Sequence, residues 1–257
     1  MLDIILARMQ QKHRTMKFPY GPAPQMPPRY LGRPAVMPGD CPSGCNICRE
    51  VCPTGALGRQ GRLGLDMGRC IFCGECAPVC PAQRLRFTQD HRLATGSRAD
   101  LLVDSEVIRP ASPLDAQRKR LFGRSLNLRQ VSAGGCNACE ADTNVLGTIG
   151  WDLGRFGIHF AASPRHADGL LVTGPVPANM RLGLLKTYEA LPTPKLVIVV
   201  GACAISGGPF AGHEEVADGA GDLLPVDLYV PGCPPHPLTI LDGLLRLLGR
   251  LPEPGKD

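Results

Sequence analysis

Along the second half of the chain, apolar residues come in short unbroken runs separated by turns. Leu126–Val131, Gly169-Leu170-Leu171-Val172, Leu196-Val197-Ile198-Val199-Val200 and Asp227-Leu228-Tyr229-Val230 read as four strands. Runs that are apolar throughout suit strands covered on both faces. Helical spacing follows Cys139 and recurs over 178–190 and 238–249. Strands alternating with helices predict a parallel α/β sheet from residue 126 onward.

The first half has a different texture. Met1-Leu2-Asp3-Ile4-Ile5-Leu6-Ala7-Arg8 reads as an amphipathic helix packing on a partner or on the protein itself, with binding at a membrane surface as the alternative. The rest of an N-terminal arm, residues 1–37, is rich in proline and reads as an extended segment lying on another surface. Residues 38–100 lack apolar periodicity but are dense in cysteine, so a fold there must be organised by metal. Gly55-Ala56-Leu57 and Arg62-Leu63-Gly64-Leu65 suit the two arms of a hairpin. Residues 101–125 read as a charged linker, with Arg118-Lys119-Arg120 as a solvated face, and residues 126–257 form the second domain.

Composition changes the picture at one point. No apolar run approaches the roughly 18 residues of a membrane span, and the early charges at Asp3 and Arg8 argue against a secretory signal. A cytoplasmic location follows, where twelve cysteines serve metal ligation better than disulfides. Residues 1–99 carry 14 Lys+Arg against 6 Asp+Glu, or +8, whereas residues 100–257 carry 14 against 17, or −3. Two four-iron clusters held by eight thiolates would lower the +8 to about +4. The basic half is thus a counterweight to cluster charge. It lacks the interleaved aromatics of a nucleic-acid platform, and no nucleic-acid partner is expected.

Cys70-Ile71-Phe72-Cys73-Gly74-Glu75-Cys76-Ala77-Pro78-Val79-Cys80-Pro81 fits C-x₂-C-x₂-C-x₃-C-P at every position. Three closely spaced thiolates wrap one face of an iron–sulfur cube, and the fourth, turned away before proline, reaches a second cube. Structural zinc prefers separated C-x₂-C pairs. An earlier run, Cys41 to Cys52, repeats the pattern about 28 residues upstream with one extra residue between Cys41 and Cys45. Crossed ligation assigns Cys41, Cys45, Cys48 and Cys80 to one cluster and Cys52, Cys70, Cys73 and Cys76 to the other. A three-iron cluster lacking Cys41 is the alternative for the first.

The last four cysteines sit where the predicted strands end. Cys136 and Cys139 follow the first strand, Cys203 follows Val200, and Cys233 follows Val230. Loops beyond the carboxyl ends of parallel strands share one sheet edge, so these four should converge. Glycines flank them at Gly134-Gly135, Gly201, Gly207-Gly208 and Gly232, letting backbone approach a cluster.

The cysteine-rich module, over roughly residues 15–100, resembles the two-cluster ferredoxin-like subunit of formate hydrogenlyase and related energy-converting [NiFe] hydrogenases. It shares Thr15–Tyr20, Tyr30–Pro34 and Gly68–Cys73. Residues 126–250 resemble the small subunit of group 4 [NiFe] hydrogenases, a family that includes the quinone-side iron–sulfur subunit of respiratory complex I. The complex I members carry adjacent cysteines where this chain spaces Cys136 and Cys139 by two residues, which favours the hydrogenase branch. The resemblance implies an α+β ferredoxin-like module followed by an α/β flavodoxin-like parallel-sheet domain. It implies three [4Fe–4S] clusters, the third held by Cys136, Cys139, Cys203 and Cys233 nearest a nickel–iron centre on a separate large subunit. It further implies membrane-arm subunits of the same complex, placing the chain on the inner face of the cytoplasmic membrane. Formate dehydrogenase or a soluble ferredoxin would be the electron partner. A quinone-linked module without hydrogen chemistry, a stand-alone ferredoxin and a zinc-stabilised nucleic-acid-binding protein are the alternatives.

Glu140, beside a ligand at a helix start, reads as a dipole-favoured carboxylate; a proton path or partner contact is the alternative. His236, between prolines near Cys233, reads as a surface-loop histidine or as a donor to a cluster sulfur. His13, His91, His159, His166 and His213 lack ligand spacing.

Overall fold

A computed structural model describes residues 2–12, 14–22, 24–60, 62–105 and 109–251, without the side chains of residues 59, 60 and 62; His13 lies outside the described residues. Helix α1 (Leu2–Gln11) forms where the sequence predicts a helix, yet none of its residues is buried against the rest of the chain. The proline-rich arm that follows lies on the second half of this same chain. Met16 N–H donates to the Gly150 carbonyl at 2.8 Å. Arg155 donates to the carbonyls of Met16 and Phe18, both at 2.6 Å.

The cysteine-rich region is built from small pieces. Strand β1 (Pro34–Val36) is followed by helix α2 (Ile47–Glu50) and the hairpin of β2 (Leu57–Gln60) and β3 (Arg62–Asp66). The hairpin arms pair Leu57 with Leu65, as the sequence suggests. Strand β4 (Leu85–Phe87) returns to pair antiparallel with β1, and the two-residue β5 (Leu102–Val103) adds to β3. Neither pairing is visible in the sequence, because strands of two or three residues carry no readable period.

The segment between the halves contains α3 (Ala116–Phe122), capped by the Asp115 carboxylate, which accepts from Arg118 N–H. Arg118 also pairs with Asp227 at 2.5 Å, so part of the basic triplet is anchored. Leu114 and Phe122 are buried.

Beyond it come β6 (Leu126–Ser132), α4 (Ala138–Val145), β7 (Ile158–Phe160), β8 (Gly169–Thr173) and α5 (Ala178–Glu189). They are followed by β9 (Leu196–Val200), α6 (Ala202–Ser206), β10 (Leu228–Val230) and α7 (Pro237–Leu247). The five strands form one parallel sheet in the order β10-β9-β8-β6-β7. Every residue of β8 and β9 is buried, as their unbroken apolar runs require. Edge strand β7 was hidden by its length. Helix α7 is buried along its whole length.

One apolar core crosses between the halves, joining Leu65, Leu93 and Leu101 to Val197, Val199 and Ile205. The backbones of Thr95 and Tyr229 exchange hydrogen bonds of 3.0 and 2.9 Å.

Candidate metal centres

The two cysteine runs wall two separate cavities. The first, about 380 Å³ with its open mouth, is lined by Cys41, Cys45, Cys48 and Cys80 together with Arg49 and Leu63. The extra residue between Cys41 and Cys45 is taken up by a turn at Gly44, whose φ of +74° is left-handed and whose Cα faces open space. Cys48 and Cys80 are buried, and Cys41 and Cys45 are half-buried. Arg84 N–H points at the Cys80 sulfur at 3.3 Å.

The second cavity, about 320 Å³ counted with the open space at its mouth, is lined by Cys52, Cys70, Cys73 and Cys76 with Leu57, Leu65 and Phe87. Ala56 N–H approaches the Cys52 sulfur and Phe72 N–H the Cys70 sulfur, both at 3.3 Å. Phe72 reaches this position in the left-handed region at φ +55°, followed by Gly74 at +81°. Backbone donors aimed at sulfur are what a thiolate held by iron requires.

The third set assembles at the carboxyl edge of the parallel sheet. Cys136 leads into α4, Cys139 lies in its first turn, Cys203 lies in α6 beyond β9, and Cys233 follows β10. Cys136 and Cys233 are exposed, whereas Cys139 and Cys203 are half-buried. The glycines serve a purpose the sequence only hinted at. A Cβ on Gly201 would lie 2.5 Å from the Cys139 sulfur, and one on Gly208 would lie 2.9 Å from the Cys203 sulfur. These two positions leave room for sulfur, not for backbone approach alone.

Thiol acidity shows the same three groupings. Burial pushes Cys70 and Cys139 up to about 12, and Cys76 and Cys203 up to about 11. Burial also raises Cys48, after which its charged neighbours are Cys80, Cys41 and Cys45. For Cys139, burial comes first, then Glu140, then Cys203, Cys233 and Cys136. Such thiols do not ionise together without a cation beside them; bound iron would supply it and displace the protons. Among the described residues no three His, Cys, Asp or Glu side chains close around a single ion. A four-iron cube needs its thiolates around a larger body, which the open cysteine-walled cavities fit.

Glu140 lies in the first turn of α4, where the helix dipole favours it. It is 5% exposed, and its Oε1 accepts from Ser132 Oγ and Thr173 Oγ1, both at 2.5 Å. Burial alone would raise its pKa, but the two hydroxyls and its own backbone N–H leave it lowered. The hydroxyls stand on neighbouring strands β6 and β8, so nothing local in sequence announces them. His236 is not a free loop residue. Its Nδ1 caps α7 by accepting from Leu238 N–H at 3.1 Å, and its ring meets Tyr30 and Trp151 edge-on. His91 is half-buried beside Asp242, with its buried Nε2 3.9 Å from Oδ1.

Comparison with known proteins finds likenesses in both halves of the chain. Residues 136–247 match the family described as NADH ubiquinone oxidoreductase, 20 Kd subunit, and residues 64–83 match the 4Fe-4S binding domain. The chain is 38% identical over 162 residues to formate hydrogenlyase subunit 7 of Escherichia coli, covering 63% of this chain and 62% of that protein, less than two thirds of its length. It is 42% identical over 137 residues to the probable membrane-bound hydrogenase subunit mbhJ of Pyrococcus furiosus, covering 53% and 81%. It is 39% identical over 136 residues to an NADH-quinone oxidoreductase subunit of Heliobacterium modesticaldum, covering 52% and 77%.

Proposed function

The chain belongs to the NADH ubiquinone oxidoreductase 20 Kd subunit family, with a 4Fe-4S binding domain ahead of it, and on that premise we propose that it is the electron-relaying subunit of a group 4-type [NiFe] hydrogenase complex. It is an iron–sulfur subunit of a hydrogenase- or complex I-like oxidoreductase. The finer reading assigns it three [4Fe–4S] clusters. Cys41, Cys45, Cys48 and Cys80 hold one, Cys52, Cys70, Cys73 and Cys76 a second, and Cys136, Cys139, Cys203 and Cys233 the third. The observation that carries it is the sorting of twelve cysteines into two four-cysteine cavities and one sheet-edge cluster.

When bound, each cluster supplies one-electron chemistry at a potential set by its surroundings. The protein's part is to hold sulfurs, exclude water and aim donors. Ala56, Phe72 and Arg84 N–H groups stabilise thiolate charge at Cys52, Cys70 and Cys80. Gly201 and Gly208 keep the sulfurs of Cys139 and Cys203 clear. The exposed Cys136 and Cys233 mark the face toward a nickel–iron large subunit. Membrane-arm subunits would hold the complex on the inner face of the cytoplasmic membrane, with formate dehydrogenase or a soluble ferredoxin as electron partner. No helix among the described residues is long and apolar enough to cross a membrane.

The two-residue spacing of Cys136 and Cys139 favours the hydrogenase branch; the likeness to a quinone oxidoreductase subunit supports a hydrogenase-related module without H₂ chemistry as the second reading. Anaerobic co-purification separates them. A large partner containing nickel supports the hydrogenase reading, and one lacking four nickel-ligating cysteines contradicts it. In the hydrogenase complex, Cys136→Ser abolishes turnover with an artificial carrier while the ferredoxin-module signals persist.

A further inference from the structure

A buried hydrogen bond joins the two cysteine-bearing halves close to a candidate ligand on each side. Ser206 Oγ donates to the Gly68 carbonyl at 2.9 Å. Ser206 ends α6, three residues after Cys203, and Gly68 lies two residues before Cys70. Both Ser206 and Gly68 are buried. We propose that this bond is the electronic bridge between the Cys203 side and the Cys70 side of the protein. The inference rests on the relay reading given above.

The contact is built closely from the Gly68 side. A Cβ on Gly68 would lie 2.7 Å from Ile205 Cγ2 and 2.9 Å from Arg98 Cζ, so glycine is what lets α6 come this near. Gly68 N–H donates to Asp66 Oδ1 at 2.8 Å, and Arg98 grips both oxygens of Asp66 at 2.8 and 2.5 Å. Cys70 N–H returns to the Asp66 carbonyl at 3.0 Å. The turn carrying Gly68 and Cys70 is therefore fixed from both ends.

Electronic coupling falls less steeply through covalent bonds and a short hydrogen bond than across a non-bonded gap. From Cys203 the route runs along the backbone to Ser206, crosses the hydroxyl to the Gly68 carbonyl, and follows the backbone to Cys70. The transfer it serves is a single electron: one side is oxidised as the other is reduced, with no bond broken and no proton moved. A purely docking role explains the bond less well. The shared core around Leu65 and Ile205 and the Thr95–Tyr229 backbone pair already join the halves. Ser206 Oγ also lies 3.2 Å from the Ala202 carbonyl, an acceptor within its own helix, yet the approach to Gly68 is shorter.

The test is flash photoreduction of the iron-loaded holoprotein, following electron equilibration between the halves in wild type, Ser206→Ala and Ser206→Thr. Equilibration should slow several-fold in Ser206→Ala and keep nearly its wild-type rate in Ser206→Thr, which retains the hydroxyl. Cluster midpoint potentials and magnetic coupling between neighbouring clusters should stay unchanged in both. An unchanged rate in Ser206→Ala overturns the proposal. So does a slower rate accompanied by altered potentials or coupling, because the hydroxyl would then be acting on structure. Absence of the third cluster from the wild-type protein would refute the relay reading, a separate failure.

Discussion

Cys52 and Cys80 are exchanged between the two cysteine runs: Cys80 lines the cavity of Cys41, Cys45 and Cys48, and Cys52 lines that of Cys70, Cys73 and Cys76. The exchange ties the repeats together, because each cavity is completed from the far end of the other run.

It follows that Cys80→Ser should deplete the cluster of the first run, although Cys80 belongs to the second. About four of about twelve irons should be lost, read by iron analysis and electron paramagnetic resonance. Loss of the signal from the Cys70 side instead would contradict the crossed arrangement.

Gly201→Ala addresses the third set alone. The added methyl would sit 2.5 Å from the Cys139 sulfur, at a backbone φ of +94° that disfavours any side chain. The expected outcome is loss of the third cluster's signal with both ferredoxin-module signals intact. Stability should fall by more than about 1 kcal/mol.

Glu140 accepts the hydroxyls of exposed Ser132 and buried Thr173 with one oxygen, joining β6 and β8 behind the third set. Glu140→Ala should cost about 1–3 kcal/mol, chiefly by leaving buried Thr173 Oγ1 with only its long 3.5 Å approach to the Val131 carbonyl. Glu140→Gln, which keeps a carbonyl oxygen there, should cost less. Denaturant unfolding of the anaerobic protein gives both values.

His91 gives a pH dependence whose sign is fixed. Burial lowers its pKa most strongly; Arg92 and Arg246 act the same way, against Asp242 and Asp90. Its Nε2 has no hydrogen-bond partner among the described residues. The fold therefore prefers neutral His91. The stability this contributes is complete above the unfolded pKa of about 6.5 and is lost as pH falls through the lower folded value. Wild type should lose more stability than His91→Leu between about pH 7.5 and about pH 5.5, measured as the shift in urea midpoint. Equal losses would contradict the assignment.

Much of this was legible in the chain. The C-x₂-C-x₂-C-x₃-C-P run predicts that Cys80 parts from Cys70, Cys73 and Cys76, as the two cavities have it, because metal geometry restricts spacing, and Leu196–Val200 states a buried strand because both its faces must be apolar. Cys203 and Cys233 could be placed at one edge because parallel topology puts successive strand ends there. What escaped was fixed by tertiary contacts between distant residues. Ser132 and Thr173 around Glu140, Tyr30 and Trp151 around His236, and Ser206 on Gly68 lie far apart in sequence. The pairing of β1 with β4 escaped for a related reason: three-residue strands are stabilised by what covers them.

Iron and sulfide analysis of the anaerobically purified chain tests the central claim most directly. Three cubes predict about twelve irons and about twelve sulfides per chain, with broad visible absorption that bleaches on dithionite. A colourless protein carrying zinc, or one holding about eight irons with Cys136, Cys139, Cys203 and Cys233 free to alkylate, would contradict it.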